Sequence, residues 1–310
     1  MTGSGVRLAE QGHFWLGLRL REHDGQRVPD GDQLFVEYHV PEEQRHETPV
    51  VLIHGGGGQG LDWSSTPDGR PGWRTLLLQR GYAVYTIDRP GHGRSPRSIG
   101  EPVGAGLGLV PSVEALGAIF AGRDDPAHTQ WPGSGGADDP ALLQLLAAQR
   151  QTAFDLEHDH ATMRRVGAEL LDRIGPAVLI ASSAGGPSAW QLAAARPELV
   201  RAVVALEPLG IGGPVPLEWG ISAAPIDLAD LHELPIAIVT AECSPANRTG
   251  ADAATVDHLR QAGCTAVDHL VLPELGIHGN GHLMFLERNH EDVLDVVTAW
   301  LDRRPVVESR

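Results

Sequence analysis

The chain has 310 residues, 42% of them hydrophobic, which is enough to bury a sizeable core in one large α/β domain or in two smaller domains. Its formal net charge of -16 at pH 7 argues against a surface that binds nucleic acids. The N-terminal residues lack the apolar segment of a signal peptide, and no run is apolar and long enough to cross a membrane. We therefore expect no nucleic-acid or membrane partner, and a cytoplasmic location, or a secreted or periplasmic one if a signal was removed.

The first part of the chain predicts the edge of a sheet. Residues 13–20 and 33–40 alternate apolar and polar side chains around a turn-rich segment, which indicates an antiparallel hairpin at a sheet edge. Residues 49–53 and 82–87 are continuous apolar runs, typical of strands buried on both faces, and residues 73–80 between them have helical spacing. Each buried strand is followed by a glycine-rich polar loop.

The loop after the first buried strand allows two interpretations. Gly55, Gly57 and Gly60 fit the G-x-G-x-x-G pattern of a dinucleotide fold, and Asp88 ends the next strand, as that fold requires. The residues after Gly60, however, contain turn formers and a proline where a helix should begin to hold a pyrophosphate. His54 with the glycines that follow it better matches the H-G-G-G loop that supplies oxyanion donors.

Residues 96–153 differ from the rest of the chain. They are rich in Gly, Pro and Ala, with short amphipathic segments at 112–120 and 140–148. An insertion of this length between a loop and the next helix predicts a cap over an active site, on a core of residues 1–95 and 154–310. The alternative is a surface excursion without a partner, which the apolar content of the segment disfavours.

The second half of the chain alternates helices and strands. Predicted elements are a helix at 160–174, strands at 177–181, 202–206 and 236–241, a helix at 255–262, a strand at 266–272 and a last helix through Trp300-Leu301. Because the strands are apolar and separated by helices, we expect an α/β fold with a mostly parallel, doubly wound sheet.

A serine lies at the bend between the strand at 177–181 and the following helix. A nucleophile elbow needs small residues two positions before and after its serine, and Ser183 has Ala181 and Gly185 there. Ser182 would place Ile180 in the crowded turn. The alternative role for such a serine is an ordinary N-cap.

A serine hydroxyl needs a base to become a nucleophile near neutral pH. His282, which follows a Gly-Asn-Gly segment at the start of the last helix, is our first choice, and His278 is the second. These two histidines could instead form a zinc pair, but they lack the glutamate of H-E-x-x-H. The cluster at 157–160 (E-H-D-H) could also bind a metal, although a solvated helix start explains it better.

Two carboxylates could orient that base. Glu207 follows the strand after the nucleophile and Glu242 follows the strand after that, so either gives the order Ser, Glu, His. We favour Glu207, because its apolar neighbours Leu206 and Pro208 imply a buried carboxylate that needs a partner. Glu242 remains the alternative acid.

A tetrahedral intermediate carries an oxyanion, which needs backbone N–H donors worth about 3 kcal/mol each. The N–H of Ala184, directly after the nucleophile, is one expected donor. The other should come from the glycine-rich loop, where a missing Cβ lets the backbone approach the substrate. Gly56 is our first choice there and Gly57 the second.

These features together resemble the α/β-hydrolase superfamily, and more narrowly the bacterial esterases of the Alcaligenes esterase 713 type. The stretches that carry the resemblance span most of the chain except the cap region: D-Q-L-F-V-E-Y-H-V-P, H-G-G-G-G-Q-G-L-D-W-S-S-T-P-D-G-R-P-G-W, A-S-S-A-G-G, V-V-A-L-E-P and G-I-H-G-N-G-H-L-M-F-L-E-R-N. The oxyanion loop has glycines where that group can carry cysteines, and the elbow differs in its inner residues.

The resemblance implies an α/β-hydrolase fold and a Ser-His-Glu triad. The acid of that group falls on Glu207, its histidine on His282 and its oxyanion loop on Gly56 and Gly57; its members are dimeric, so a homodimer is expected. The expected activity is hydrolysis of carboxylic esters or lactones through an acyl-enzyme on Ser183, without a cofactor or metal, and with an apolar or aromatic substrate. A lyase-type relative is the first alternative and a dinucleotide-dependent oxidoreductase the second.

The two cysteines, Cys243 and Cys264, bear on the compartment. They could pair in a secreted form of the protein or remain free thiols, and the sequence leaves both possibilities open.

Overall fold

The computed structural model describes residues 5–96, 112–149, 156–208, 227–247 and 250–304. Its strands are β1 (Leu8–Leu16), β2 (Leu20–His23), β3 (Gln26–Pro29), β4 (Leu34–Pro41), β5 (Val50–Ile53), β6 (Val84–Asp88), β7 (Ala177–Ser182), β8 (Val200–Leu206), β9 (Ile236–Thr240) and β10 (Val267–Val271). Its α-helices are α1 (Trp73–Gln79), α2 (Val113–Phe120), α3 (Pro140–Ala148), α4 (Leu156–Ile174), α5 (Gly185–Ala195), α6 (Ala251–Gln261) and α7 (His290–Asp302). The predicted element types and their order are confirmed.

One large sheet organises the molecule. It has eight strands in the spatial order β1-β4-β6-β5-β7-β8-β9-β10. Strands β6, β5, β7, β8, β9 and β10 run parallel, whereas β1 and β4 are antiparallel to their neighbours. The sheet is therefore mostly parallel with an antiparallel pair at its N-terminal edge, as the sequence predicts.

The connection between β1 and β4 corrects the predicted hairpin. Strand β1 ends at Leu16 because Gly17 has a φ of +78°, which does not continue an extended strand. A separate two-stranded hairpin, β2 and β3, then precedes β4. Its turn residues Asp24 and Gly25 both have positive φ, which suits the Asp-Gly pair of a tight hairpin. The pairing of β1 with β4 was right, but the strand predicted at 13–20 began and ended too late.

The central strands are buried on both faces, which explains their continuous apolar sequences. In β7, Val178 and Ile180 belong to the core on one face of the sheet, while Leu179 and Ala181 belong to the core on the other. Helices cover both faces, so no residue of β7 is exposed. Loops at the carboxyl ends of the parallel strands are consequently brought to one edge of the sheet.

The described part of the predicted cap contains α2 and α3. Ser112 begins α2 by accepting a hydrogen bond from the N–H of Ala115, and Asp139 begins α3 in the same way. Trp131 and Leu142 are buried in the same apolar cluster as the strand side chains. This part of the insertion is therefore packed on the core, and a cap spanning 96–153 stays a prediction because 97–111 and 150–155 lie outside the described residues.

Cys243 and Cys264 are both free and buried. Burial raises the pKa of the Cys243 thiol to about 11, so it is protonated at neutral pH. No helix within the described ranges has the length and hydrophobicity needed to span a bilayer.

Candidate active site

Ser183 lies directly after β7, with a φ of +51° and 8% of its surface exposed. Such a backbone costs a non-glycine residue about 1–3 kcal/mol and is typical of functional sites. Gly185 starts α5, and a Cβ on it would lie 2.6 Å from the carbonyl oxygen of His54. The structure thus forms the predicted strand–turn–helix bend with Ser183 at its apex, while Ser182 is the last residue of the strand.

Glu207 repeats this arrangement on the neighbouring strand. It lies directly after β8, with a φ of +42°, and only 2% of its surface is exposed. The N–H of Ser183 donates to the carbonyl of Leu206 at 3.0 Å, which extends the pairing of β7 with β8 by one residue. Ser183 and Glu207 are therefore held side by side at the carboxyl edge of the sheet.

The carboxylate of Glu207 receives three hydrogen bonds. Its Oε2 lies 2.7 Å from Nδ1 of His282 and also accepts from the hydroxyl of Ser244, while its Oε1 accepts from the N–H of Ala241 at 2.9 Å. His282 is fully buried. Because a carboxylate only accepts, the His282 proton must be on Nδ1, which leaves Nε2 as the basic nitrogen.

Glu242 contacts the other predicted histidine. Its carboxylate lies 3.3 Å from Nδ1 of His278 and accepts from the N–H of Gly279 at 2.8 Å. Both partners of this pair are substantially exposed. The structure therefore brings His282 to Glu207 and His278 to Glu242, so the two histidines face different carboxylates rather than a shared metal.

The segment at 157–160, for which we favoured a solvated helix start over a metal site, is not solvated, because Asp159 and His160 are buried. His158 Nε2 lies 2.9 Å from an oxygen of Asp32, and His160 is buried, with its pKa lowered to about 4 by burial and by the charge of Arg89. The described parts of the chain contain no group of three or more His, Cys, Asp or Glu side chains arranged to hold a metal ion.

The glycine-rich loop packs directly on Ser183. A Cβ on Gly55 would lie 3.2 Å from Cβ of Ser183, so only glycine fits there without displacing the serine. Gly57 has a φ of +68°. No backbone carbonyl of the described residues accepts from the N–H of Gly56, Gly57 or Ala184.

His54 anchors this loop. Its Nε2 accepts from the N–H of Arg89 at 2.9 Å, so its proton is on Nδ1, which donates to the carbonyl of Gly55 at 2.8 Å. Burial, together with the charge of Arg89, lowers the pKa of His54 well below its ordinary value. The imidazole is therefore neutral, and its role here is to hold the loop.

The hydrogen bonds of the Asp88 carboxylate do not suit a dinucleotide site. Its buried carboxylate accepts from the N–H of Gly60 at 2.6 Å and from both the backbone and the side chain of Arg94. The residues after Gly60 form a short 3-10 turn, Gly60–Trp63, rather than an α-helix. The acid expected to bind a ribose is occupied, and the helix expected to hold a pyrophosphate is replaced by a turn.

The loop before His282 is covered by the described part of the insertion. The N–H of Gln130 donates to the carbonyl of Gly279 at 3.0 Å, and the N–H of Arg288 donates to the carbonyl of Gln130 at 2.8 Å. A Cβ on Gly279 would lie 2.1 Å from the hydroxyl of Thr129, and one on Gly281 would lie 2.3 Å from the ring of His128. Glycine is needed at both positions because the segment that contains His128 and Thr129 crosses the loop too closely to leave room for a Cβ.

A buried pair joins the same two segments. His128 Nε2 lies 2.5 Å from Oε1 of Glu287, and both side chains are fully buried. Glu287 also accepts from the N–H of Gly281 at 3.0 Å and from the amide of Asn280 at 2.8 Å. The ring of Phe120, at the end of α2, stacks on the imidazole of His282 with 6.2 Å between centroids. The insertion therefore helps to fix the position of His282.

Asp62, in the turn after the glycine-rich loop, is expected to make stability depend on pH. Burial and the nearby Asp88 charge raise its pKa from 3.8 to about 7. The folded protein keeps this proton where the unfolded chain loses it, so the free energy of unfolding falls as pH rises from about 4 to about 7. Asp62→Asn should therefore raise the free energy of unfolding by about 1 kcal/mol at pH 8 and change it little at pH 4, as urea denaturation would measure.

Asp68→Asn is the matched control, and its expected effect on the free energy of unfolding has the opposite sign. Although burial opposes its ionisation, hydrogen bonds from Arg70 and Thr66 lower its pKa. Removing this carboxylate should lower the free energy of unfolding at pH 8 and have less effect at pH 3. Equal effects of Asp62→Asn at the two pH values would show that folding does not raise the pKa of the Asp62 carboxyl.

Sequence reasoning missed three groups that contact the site. Ser244 donates to Glu207, Glu287 holds the loop before His282, and Arg89 donates to the carbonyls of Gly55 and Ala184. Arg89 lies in a loop after a buried strand, and Glu287 lies in the stretch G-I-H-G-N-G-H-L-M-F-L-E-R-N that carries the resemblance. Ser244 has no local signal, because its partner Glu207 is distant in the chain.

Comparisons with known proteins identify the family of the chain. Residues 48–229 match the family model described as the alpha/beta hydrolase fold. The chain is 33% identical over 316 residues to a fungal protein named "Probable secreted lipase phiG" from Fungal sp. (strain ATCC 74256), covering 87% of this chain and 86% of that protein.

Solved structures show the same fold. A structure titled as a novel bacterial esterase superposes with a TM-score of 0.77 and 26% identity, covering 98% of both chains. A serine hydrolase from Cycloclasticus zankles superposes with a TM-score of 0.52 and 12% identity, covering 94% of this chain and 98% of that one, which reflects the fold alone. The predicted fold class and the resemblance to bacterial esterases are confirmed, and the chain belongs to the α/β-hydrolase fold family.

Proposed function

We propose that the protein is a serine hydrolase that cleaves carboxylic esters or lactones through an acyl-enzyme. His282 Nε2 takes the proton of Ser183 as its Oγ attacks the substrate carbonyl, and Glu207 stabilises the imidazolium that forms. The tetrahedral intermediate collapses, and the leaving alcohol takes the proton from His282. Water, activated by His282, then cleaves the acyl-enzyme; with a lactone, the alcohol stays attached and the product is a hydroxy acid.

One observation carries this proposal. The buried carboxylate of Glu207 lies 2.7 Å from Nδ1 of His282, beside a serine held in a left-handed backbone conformation at the end of the adjacent strand. A buried imidazole–carboxylate pair needs a reason to persist, since burying charge is costly. Orientation of a general base next to a nucleophile is such a reason. Relatives named as a lipase and an esterase support the same reaction class.

The oxyanion of the intermediate would be held by backbone amides. We assign the donors to Ala184 and Gly56, with Gly57 as the second choice in the loop. This assignment is supported by Gly55, where an added Cβ would lie 3.2 Å from Cβ of Ser183 and 3.8 Å from its Oγ. Preorganised amides of this kind stabilise the intermediate without reorganisation during the reaction.

Apolar side chains in the described part of the insertion support the proposal that the substrate is apolar or aromatic. Phe120 lies against the imidazole of His282, and Trp131 is buried in the part of the insertion that packs on the core. We therefore propose a cap over residues 96–153 that contributes apolar surface to the acyl or alcohol pocket. The fungal relative is named as secreted, so the cytoplasmic location expected from the sequence stays a prediction.

The proposed chemistry needs no cofactor or metal, because the nucleophile, base and oxyanion donors are all groups of the chain. A homodimer is proposed from the resemblance to dimeric esterases. Sedimentation velocity over a series of micromolar concentrations would test it, and a monomer at every concentration would contradict it.

A fluorophosphonate probe tests the nucleophile without knowledge of the substrate. We expect stoichiometric labelling of the native protein, with the adduct mapped to Ser183 by peptide mass spectrometry. The physical reason is that the probe's phosphorus reacts only with a serine activated by a base and oxyanion donors.

Ser182→Ala is the matched control, since Ser182 is the adjacent buried serine and should be dispensable. This variant should label as the parent does, and the heat-denatured protein should not label. An adduct on any other serine, or no labelling of native protein, would contradict the assignment of Ser183.

A further inference from the structure

Arg89 connects the two segments that would form the oxyanion hole. It lies directly after β6, and its side chain is buried. Its Nη2 donates to the carbonyl of Gly55 at 2.9 Å and its Nη1 donates to the carbonyl of Ala184 at 3.1 Å. A further contact joins Nη2 to Nε2 of His92 at 3.3 Å. One planar group therefore holds the glycine-rich loop and the start of α5 at a set separation.

Holding the carbonyl of Gly55 also sets the direction of the next amide. In a trans peptide unit the C=O and N–H point in opposite directions, so fixing one fixes the other. The carbonyl of Gly55 has two donors, Arg89 Nη2 and His54 Nδ1. Rotation of this peptide, which glycines on both sides would otherwise allow, would break both hydrogen bonds. The N–H of Gly56 is thereby kept on the side opposite the guanidinium.

The amide of Ala184 is set by a related contact. The carbonyl of Ser183, in the same peptide unit as that N–H, accepts from the N–H of Gly186 at 2.8 Å. Arg89 then binds the following carbonyl, that of Ala184 itself. Both proposed oxyanion donors therefore belong to peptide segments whose carbonyls are held, and Arg89 is the side chain common to the two.

The charge of Arg89 strengthens this arrangement. Burial lowers the pKa of the guanidinium to about 10, so it is still protonated at pH 7. A cation that donates to a peptide carbonyl polarises the whole unit, which makes the N–H of that unit a stronger donor. A lysine could supply the charge, but its single ammonium could not reproduce the planar fork that reaches two carbonyls.

We propose that Arg89 is a positioning residue for the oxyanion hole, which orients the N–H of Gly56 and ties the glycine-rich loop to Ala184. The inference rests on the proposed serine hydrolase function. The side-chain hydrogen bonds of Arg89 go to two backbone carbonyls and to His92, so its effect should fall on stabilisation of the tetrahedral intermediate and not on substrate binding.

The test compares Arg89→Lys and Arg89→Gln with the parent, using p-nitrophenyl acetate. We expect kcat to fall on the order of 10²-fold in both variants, with KM within about threefold, because loss of one oxyanion donor has an effect of this size. Methylguanidinium added to Arg89→Ala should restore part of kcat, which a purely structural loss would not show. Arg74→Gln is the control: it removes a partly buried arginine of α1 that pairs with Glu37 of β4, and it should keep the parent kcat.

NMR of the parent protein provides a second test, and its result does not depend on how the variants fold. On formation of the Ser183 phosphonate adduct, the amide protons of Gly56 and Ala184 should both move downfield in the NMR spectrum. In Arg89→Lys, the shift of the Gly56 proton should shrink while that of Ala184 is largely kept. A Gly56 proton that does not move in the parent overturns the inference.

The outcomes separate this inference from the proposed function. Arg89 variants with native circular dichroism and kcat within threefold of the parent would overturn the role of Arg89 and leave the serine mechanism intact, provided that Ser183→Ala is inactive. Equal losses in Arg74→Gln and Arg89→Gln would also overturn it. Turnover retained by Ser183→Ala would overturn the proposed function and this inference with it.

Discussion

Ser183→Ala is expected to lower kcat for a p-nitrophenyl ester by a factor on the order of 10⁴ or more, with the fold unchanged. Without the hydroxyl there is no acyl-enzyme, and only water held near the oxyanion donors could react. The replacement removes one oxygen from a side chain that is 8% exposed, so it should leave the core intact. The measurement is the initial rate at saturating ester, divided by the amount of folded protein determined by circular dichroism.

Ser183→Gly separates catalysis from backbone strain at the same position. Alanine keeps the cost of a Cβ at a φ of +51°, whereas glycine does not. The glycine variant should be equally inactive but more stable than the alanine variant by about 1 kcal/mol in urea denaturation. Ser182→Ala, one residue earlier, should retain the parent rate. Substantial turnover by either Ser183 variant would remove this residue from the mechanism.

Glu207→Gln is expected to lower kcat by about 10³-fold, whereas Glu242→Gln should keep it within about threefold. A carboxylate on Nδ1 holds His282 in the tautomer with a basic Nε2 and stabilises the imidazolium, and an amide can do neither reliably. The Glu207 carboxylate is buried with three protein donors, but Glu242 is exposed and contacts His278. The two substitutions are chemically identical, so each is the control for the other.

The comparison requires that the Glu207 variant be folded, because its carboxylate also accepts from Ala241 and Ser244. Ser244→Ala removes one of these donors and leaves the imidazole contact, so it measures the structural share of the effect. We expect at most a tenfold loss from it. A larger loss in Glu242→Gln than in Glu207→Gln would reverse the choice of acid.

The pairing of His282 with Glu207 shows which part of the site could be predicted locally. Both glutamates come directly after strands that follow Ser183 in the chain. Their distances along the chain therefore did not favour one over the other as the acid. In the structure each glutamate binds a different histidine of the same loop. The apolar neighbours of Glu207 indicated a buried carboxylate, but the contact of Glu242 with His278 depends on how that loop passes over the ends of β8 and β9.

The glycines before His282 illustrate the same limit. The sequence shows them only as a Gly-Asn-Gly segment, whereas the reason for them is the crossing segment of the insertion, with Thr129 against Gly279 and His128 against Gly281. Arg89 is similar: its position after β6 was visible, whereas its carbonyl partners lie in two other loops. Contacts between segments far apart in the chain leave no periodic signature.

The sequence by itself determined the order of strands and helices, the bend at Ser183 and the family, because apolar periodicity, glycine placement and short motifs are properties of neighbouring residues. Only the tertiary structure shows that Glu242 contacts His278, that Ser244 contacts the carboxylate of Glu207, and which carbonyls Arg89 holds. Those features depend on the distances between loops that the sheet brings to one edge, and such distances exist only once the chain is folded.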